Sequence, residues 1–289
     1  MKEGWNRWGE DDEAGALNTI RRGETKAAAN LVSEGKVFSL GQMISPRLPI
    51  PGHRPGMMHF MGRDGGDYAA GRRRPGGFQF AEDTIVMPMH AGTHLDALCH
   101  CWYDDALYNG FAATEVRSDG AKRLGAEKLP AIATRGLLLD FVRINGAPLE
   151  DGYSIGVDLL REAIAASGAN PGKGDCILLR TGWLERQEPG AAVDFNAEPG
   201  IDVEAATMLA EADVALIGAD NYAIEVLPFP AGKIFPVHQR LMRDFGIPLL
   251  EGLVLAELAE ARPGPFLFVT APLRIVGATA SPVNPVAIL

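Results

Sequence analysis

The sequence predicts an α/β fold, in which strands and helices alternate along a chain of 289 residues. Short apolar or β-branched runs recur along the chain, and amphipathic stretches of helical length lie between them. The 34 glycines and 20 prolines are spread throughout, which favours short elements joined by frequent turns. We find neither an internal repeat nor a linker, so we expect a single domain over residues 1–289.

The individual elements follow from these runs. The predicted strands are 84–89, 136–142, 176–183, 214–219 and 265–278, each apolar or β-branched with turn residues nearby. The predicted helices are 158–167, 202–212, 237–245 and a last one over 254–261. Glycines directly after the first and third of these helices are suited to end them.

Two segments are expected to lie outside this alternation. Residues up to about 40 form an N-terminal arm in our interpretation, and residues 51–78 are rich in Gly, Pro and Arg. We interpret 51–78 as a surface flap, because long loops in compact domains are often lids over active sites. A mobile loop without a role is the alternative.

The composition argues against several classes of protein. The formal net charge of −10 makes nucleic acid an unsuitable partner, since proteins that bind it carry a basic surface. No run approaches the roughly 18 apolar residues of a membrane span, and residues 1–15 lack the apolar stretch of a secretory signal. Three cysteines are too few, and odd in number, for a disulfide framework. We therefore expect a cytoplasmic protein with no membrane partner.

Three of the six histidines lie within eleven residues, in the segment HAGTHLDALCH at 90–100. In a straight strand, His90 and Asp96 would stand roughly 20 Å apart, too far for one metal ion to join them. Gly92 can adopt backbone angles that other residues resist, so we expect a bend there. A strand ending near His90, a turn at Gly92 and a return through His94 and Asp96 would bring three ligands together.

Imidazole nitrogens and a carboxylate are ligands that suit Zn²⁺, Mn²⁺ or Fe²⁺. Three ligands, His90, His94 and Asp96, leave a coordination position for water, whose pKa a metal lowers toward about 7. His100 is not needed as a ligand in this arrangement. Histidine has a reference pKa near neutrality, which suits His100 to general acid or base catalysis. The alternative is that these histidines are structural or exposed.

The segment HAGTHLDALCH resembles the HxGTHxDxxxH motif of the cyclase-like metal-dependent hydrolases, a superfamily that includes bacterial kynurenine formamidase and isatin hydrolase. Weaker blocks of similarity occur in the expected order at 7–18, 174–183, 215–226 and 277–288. The resemblance implies a swivelling β/α/β fold with a mixed sheet, assembled as a homodimer or homotetramer. It also implies an enzyme that uses metal-activated water to cleave an amide, N-formyl amide, lactam or lactone bond of a small cyclic or aromatic molecule.

The same resemblance implies roles for individual residues. His90, His94 and Asp96 match metal ligands, and His100 matches the catalytic histidine. In kynurenine formamidase-like members a further His and Glu complete a two-metal site, and the matching positions here are His238 and Glu251. Other members use one metal. The number of bound ions, one or two, therefore stays open, as does the choice between Zn²⁺ and Mn²⁺. Short formamidases carry proline where this chain has Leu98, which argues against kynurenine formamidase specifically.

Three further residues are candidates for contact with the small-molecule substrate. Trp183 lies at the end of the predicted strand 176–183, where α/β proteins tend to place ligand contacts, and His59 and Phe60 lie in the predicted flap. Two other functions stay open at this point. The chemistry could run in reverse, as a cyclase or dehydratase that closes a ring, or the chain could be a metal-binding scaffold without turnover.

Overall fold

Nine strands form one mixed sheet in the computed structural model, which describes residues 3–187 and 192–289. The strands are β1 Val37–Ser39, β2 Met58–Arg63, β3 Glu82–Val86, β4 His94–Asp96, β5 Val116–Arg117, β6 Gly120–Ala121, β7 Ile132–Asp140, β8 Ser154–Ile155, β9 Cys176–Arg180, β10 Gly200–Ile201, β11 Leu216–Ala219, β12 Leu249–Glu251, β13 Phe266–Thr270, β14 Ala280–Pro282 and β15 Val286–Ile288. The order across the large sheet is β1-β15-β13-β7-β9-β11-β12-β4-β14, which confirms the predicted α/β class with a mixed sheet.

The helices lie between these strands. They are α1 Arg22–Ala29, α2 Gly65–Ala69, α3 Phe141–Asn145, α4 Val157–Ala166, α5 Val203–Glu211, α6 Pro236–His238 and α7 Ala256–Glu260, and π-helical turns over Gln239–Phe245 continue α6. The four helices predicted from periodicity are all present, with ends shifted by a few residues. Within the two described ranges, no helix has the length and apolarity needed to cross a membrane.

The middle of the sheet is parallel and buried. Strands β7, β9, β11 and β12 run parallel to one another, whereas the strands on both flanks pair antiparallel. All four residues of β11 are buried, and so are four of the five residues of β9. Uninterrupted apolar runs such as CILL and LIGA are typical of parallel strands that are covered on both faces. Helix α4 packs against β7 and α5 on one of these faces.

Four of the five predicted strands end earlier than expected: 84–89 at Val86, 136–142 at Asp140, 176–183 at Arg180 and 265–278 at Thr270. Two of these ends have a clear cause. The run 136–142 leaves the strand at Asp140, because the Asp140 carboxylate accepts a hydrogen bond from the Arg143 backbone N–H at 3.1 Å and so caps helix α3. The run 265–278 ends its strand at Thr270, two residues before Pro272, which has no N–H for a sheet hydrogen bond. Apolar composition alone did not mark either end.

The segment 51–78 is not a structureless flap. It contains β2 and α2, and β2 pairs antiparallel with β3 to form a hairpin outside the large sheet. The predicted strand 84–89 is half of this hairpin, and it ends at Val86, before Pro88. We call β2 and β3 together the β2–β3 hairpin; nearly all of its side chains are exposed.

The N-terminal residues pack across the helical segment that follows β11. The backbone N–H groups of Gly4 and Ala16 donate to the carbonyls of Asp244 and Gly246 at 2.9 and 2.7 Å. The indole of Trp5 donates to the carbonyl of Arg243 at 2.8 Å. These contacts hold the end of the segment that begins at α6. The division into one domain with an N-terminal arm stays a prediction.

Candidate active site

The histidine-rich segment turns sharply where the sequence predicts a bend. Gly92 has a φ of +63°, in the left-handed region that favours glycine, and it precedes strand β4. His90 lies before this turn, and His94 and Asp96 lie on β4 itself. Because side chains two residues apart on a strand point to the same face, His94 and Asp96 share a face of the sheet.

Strand pairing brings a distant carboxylate to this face. In the antiparallel pairing of β4 with β12, His94 lies directly opposite Glu251. Residues directly opposite in such a pair have neighbouring side chains on one face. The register therefore places Glu251 beside His94, although 157 positions separate them in the sequence (251 minus 94).

Asp96 lies at the centre of the cluster. Its Oδ1 is 2.8 Å from His90 Nδ1 and 3.5 Å from His94 Nε2, and its Oδ2 is 4.0 Å from His238 Nε2. Glu251 completes the arrangement, with Oε2 at 3.2 Å from His94 Nε2 and Oε1 at 3.3 Å from His238 Nε2. The two oxygens of each carboxylate thus face different imidazoles.

These donor atoms fit a metal site. The buried atoms His90 Nδ1, His94 Nε2, both oxygens of Asp96 and Glu251 Oε1 face one another, but none of them makes a hydrogen bond of suitable geometry with a described residue. Buried polar atoms without partners are rare in folded proteins, because each costs free energy. Two atoms bonded to one metal at about 2.1 Å stand roughly 3 Å apart. The distances His90 Nδ1–Asp96 Oδ1, His94 Nε2–Asp96 Oδ1 and His94 Nε2–Glu251 Oε2, at 2.8, 3.5 and 3.2 Å, are close to that spacing. The donor set, imidazole and carboxylate, suits a divalent metal.

The outer nitrogen of each candidate histidine ligand is hydrogen-bonded. Nδ1 of His94 donates to the carbonyl of Gly92 at 2.9 Å, and Nδ1 of His238 lies 2.7 Å from the carboxylate of Glu225. His90 Nε2 lies 3.0 Å from the hydroxyl of Thr279. A carbonyl only accepts, so the inward Nε2 of His94 keeps a free lone pair. Outer hydrogen bonds of this kind orient metal-binding histidines.

The charges of the cluster balance one another. Burial opposes the ionisation of Asp96, but the imidazoles of His100 and His90 hold its pKa well below its usual range. Burial alone would lower the pKa of His238, but Glu225 and Glu251 raise it well above its ordinary value. In the absence of a metal ion, the carboxylates are thus balanced by protons on imidazoles. Metal binding displaces such protons.

His100 belongs to the same cluster. Its ring centroid lies 4.0 Å from that of His90, and burial lowers its pKa to about 4, so the ring is neutral at pH 7. Two groups of three residues have ligand atoms that, within each group, all lie within 4.8 Å of one another. One group is His90, Asp96 and His100, and the other is His94, Asp96 and Glu251. His100 can therefore reach a metal shared with His90. Its role as the catalytic histidine stays a prediction.

A cavity of about 650 Å³ adjoins the cluster. Its lining includes Arg54, Phe195, Glu198, Tyr222, Phe229 and Phe235. The Phe235 ring lies 5.0 Å from that of His238, and the Tyr222 ring lies 6.1 Å from that of His94. The wall of the cavity thus packs directly on two candidate ligands. Aromatic walls with a few polar groups are typical of small-molecule sites.

The three predicted substrate contacts lie elsewhere. Trp183 is buried behind the wall, with its ring 5.8 Å from Phe195 and 6.1 Å from Tyr222, and its indole donates to the carbonyl of Ala197. His59 and Phe60 lie on the exposed β2–β3 hairpin, and neither lines the cavity described above. Contact of these three residues with substrate stays a prediction.

Sequence reasoning missed several residues around the site. Glu225 accepts the backbone N–H groups of Val237 and His238 at 3.1 and 3.0 Å as well as the His238 ring, so it positions that histidine. Tyr222 and Glu198 lie on the cavity wall. The segment 215–226 carried a weak family resemblance, and Tyr222 follows the predicted strand 214–219, where α/β proteins tend to place ligand contacts. Nothing in the local pattern pointed to Glu225 as a site residue.

Comparisons with known proteins identify the family of this chain. The profile of the family described as "Putative cyclase" matches residues 25–226. A crystal structure described as that of a novel cyclase covers 100% of both chains, with 36% sequence identity and a TM-score of 0.92. The chain belongs to this cyclase family. The matched residues include the whole segment from His90 to His100, whereas His238 and Glu251 lie beyond them.

Named relatives of this cyclase-family chain include hydrolases. It is 40% identical over 78 residues to the kynurenine formamidase of Salinibacter ruber (strain DSM 13855 / M31), which is 27% of this chain and 34% of that enzyme. The match thus spans about a third of the curated relative. Isatin hydrolase A from Ralstonia solanacearum has a TM-score of 0.65 and 22% identity, over 87% of this chain and 91% of that one. The likeness to isatin hydrolase shows the shared fold, which confirms the expected cyclase-type architecture.

Glu198 leads to a testable effect of pH on stability. It is fully buried; one carboxyl oxygen accepts the Tyr222 N–H at 2.8 Å, and the other has no hydrogen-bond partner among the described residues. Burial, aided by the charge of Glu251, raises the pKa of Glu198 well above its ordinary value. In the unfolded chain a glutamate loses its proton near pH 4.3. Above that pH the unfolded state binds fewer protons than the folded state, so rising pH destabilises the fold.

Glu198→Gln should remove this penalty, because the amide cannot ionise. We expect the free energy of unfolding of metal-free Glu198→Gln, minus that of the wild type, to rise with pH above about 4.3, by up to about 1.4 kcal/mol per unit. Urea unfolding followed by circular dichroism between pH 5 and 8 measures it. Exposed Glu162 on α4 provides the control Glu162→Gln, whose difference should stay flat. A flat difference for Glu198→Gln as well would contradict a buried neutral carboxyl.

Proposed function

We propose that this chain is a metal-dependent hydrolase that cleaves an amide, N-formyl amide, lactam or lactone bond of a small cyclic or aromatic molecule. The observation that carries the proposal is the set of inward-facing nitrogen and oxygen atoms around Asp96 that lack hydrogen-bond partners among the described residues. The kynurenine formamidase relative supports the same reaction class. The aromatic wall of the adjoining cavity supports a flat substrate.

The roles of the residues follow from their positions. His90, His94, Asp96, His238 and Glu251 are the proposed metal ligands. A divalent metal bound there supplies polarisation of the scissile carbonyl and a water of lowered pKa. Neutral His100 takes a proton from water and passes it to the leaving nitrogen or oxygen, a role that its place in the cluster beside His90 and Asp96 supports.

The number and identity of the metal ions are part of the proposal. Zn²⁺ and Mn²⁺ both accept imidazole and carboxylate ligands. The two groups of ligand atoms that share Asp96 support two neighbouring metal positions, to both of which Asp96 would contribute. His238 contributes to the second position, because its Nε2 faces Glu251 at 3.3 Å.

The reaction class can be tested with three small aromatic compounds: formanilide (an N-formyl amide), isatin (a lactam) and dihydrocoumarin (a lactone). We expect protein loaded with Zn²⁺ or Mn²⁺ to hydrolyse at least one of them, to lose turnover after treatment with a chelator and to regain it on reloading. Mass spectrometry in ¹⁸O-labelled water should find one labelled oxygen in the product. Ring closure of the corresponding acids without uptake of water would favour a cyclase, and metal binding without turnover of any compound would favour a scaffold.

His100→Asn tests whether His100 transfers protons or binds metal. We expect metal content equal to that of the wild type and a kcat lower by about 10²- to 10⁴-fold, because the variant lacks the proton-transfer group. Elemental analysis gives the metal content, and initial rates on the best compound give kcat. His94→Asn is the matched comparison, since it should lose metal and activity together. Parallel loss of metal in His100→Asn would make His100 a ligand beside His90 and Asp96.

We also propose that the enzyme is a cytoplasmic homodimer or homotetramer. The β2–β3 hairpin supports self-assembly because both of its faces carry exposed apolar side chains. Met58, Phe60 and Val86 lie on one face, and Met61 and Ile85 lie on the other, each about half exposed. Large exposed apolar patches usually mark interaction surfaces.

Light scattering after size exclusion tests the assembly. We expect a mass two or four times that of one chain, and a shift toward the single chain in Phe60→Ser/Ile85→Ser, because polar side chains weaken an apolar interface. Val32→Ser, at an exposed apolar position outside the hairpin, is the control and should keep the assembly. A wild type that runs as one chain at all concentrations would refute the proposed oligomer.

A further inference from the structure

The phenol of Tyr222 stands between the cavity and the candidate metal cluster. Tyr222 lines the cavity, and its ring centroid lies 6.1 Å from that of His94. A Cβ atom built on Gly252 would lie 3.1 Å from Cζ of Tyr222, so the hydroxyl end of the ring is close to the residue that follows Glu251. A substrate in the cavity whose scissile group reaches His94 would lie near Tyr222.

Gln42 determines the orientation of the Tyr222 hydroxyl. Its side-chain Nε2 lies 2.8 Å from Tyr222 Oη and 2.8 Å from the carbonyl oxygen of Gly252. A carbonyl oxygen only accepts, so the Gln42 atom that faces it must be the amide nitrogen. That nitrogen has two hydrogens, and one goes to each oxygen. The Tyr222 hydroxyl therefore accepts from Gln42.

The hydrogen of the Tyr222 hydroxyl is consequently left without an acceptor among the residues of 3–187 and 192–289. Burial raises the pKa of the Tyr222 phenol above its ordinary value, so the phenol keeps this hydrogen at neutral pH. Because the half-buried Tyr222 lines the cavity, a ligand bound there could supply the missing acceptor.

The backbone around Tyr222 is held firmly. Its N–H donates to Glu198 at 2.8 Å. The neighbouring Asn221 side chain donates to the carbonyl of Pro199 at 2.6 Å and accepts the N–H of Ile224 at 2.9 Å. A donor fixed in this way needs no reorganisation when charge develops nearby, which is the condition for effective electrostatic catalysis.

We propose that Tyr222 is a catalytic residue that donates a hydrogen bond to the carbonyl oxygen of the substrate as negative charge develops on it, and that Gln42 is the positioning residue that directs this donor. The inference rests on the proposed hydrolysis. The hydrogen stays on Tyr222 throughout, so the step adds no oxidant, proton acceptor or covalent bond. The substrate class follows: the scissile carbonyl belongs to a group flat enough to lie between Tyr222 and the aromatic wall.

Tyr222→Phe removes the hydroxyl and keeps the ring. On the best compound of the panel, we expect kcat to fall by about 10²- to 10³-fold, as when one donor to a developing oxyanion is lost, with KM changed by less than about threefold. Metal content should equal that of the wild type. Tyr153→Phe, at a surface tyrosine that does not line the cavity, is the control and should keep wild-type rates. A kcat of Tyr222→Phe within about threefold of the wild type would overturn the proposal.

The role of Gln42 is tested by combining variants. Gln42→Met should lower kcat in the wild type because the phenol loses its orientation. In the Tyr222→Phe background the same change should have little further effect, since the donor it directs is already absent. Equal losses of kcat in both backgrounds would mean that Gln42 acts through the fold and not through Tyr222.

A binding measurement separates this inference from the proposed function. Phenylboronic acid adds hydroxide to form a tetrahedral anion, and it serves as a probe for metal-loaded protein by calorimetry. We expect Tyr222→Phe to bind it about tenfold more weakly than the wild type, the effect of one hydrogen bond to a charged oxygen. Equal affinities, or no binding by the wild type, would overturn the role of Tyr222. A tenfold difference in a protein that hydrolyses none of the panel compounds would refute the hydrolase proposal alone.

Discussion

The buried carboxylate of Asp96 is the constraint on which the site depends. An anion that is removed from water costs several kcal/mol of free energy unless it is paired. The strand that carries Asp96 lies inside the large sheet, between β12 and β14, so water cannot solvate the charge. The imidazoles of His90, His94 and His238 surround it, and their outer nitrogens are in turn held by other groups. The site is stable because each charge has a partner and each partner is itself oriented.

The sheet determines where the groups around Asp96 lie. A turn at Gly92 allows His90 to fold back toward β4, and the register of β4 on β12 places Glu251 against His94. The helical segment that carries His238 is braced by the N-terminal residues on one side and by Glu225 on the other. The candidate ligands therefore come from the segment before β4, from β4, from β12 and from α6, and pairing within the sheet brings those of β4 and β12 together.

Side chains in the wall of the cavity are likewise held by hydrogen-bond partners. The wall is largely aromatic, and the hydroxyl of Tyr222 in this wall accepts a hydrogen bond from Gln42. Glu198 supports the same segment from beneath, by accepting the backbone N–H of Tyr222. One short stretch of chain after β11 thus contacts both the cavity and the candidate ligands.

Local sequence determined the α/β class, the spacing of the histidine motif and the need for a bend at Gly92, because periodicity and glycine geometry are properties of neighbouring residues. It placed strand ends less well, since Asp140 caps a helix within an apolar run. Only the tertiary structure decided the hairpin in 51–86 and the convergence of His94 with Glu251. It alone also showed the contacts of His238 with Glu225 and of Gln42 with Tyr222. Gln42 and Tyr222 are 180 positions apart in the sequence. Such contacts arise from strand order and register. These bring together residues that are far apart in the sequence and whose local patterns do not predict the contact.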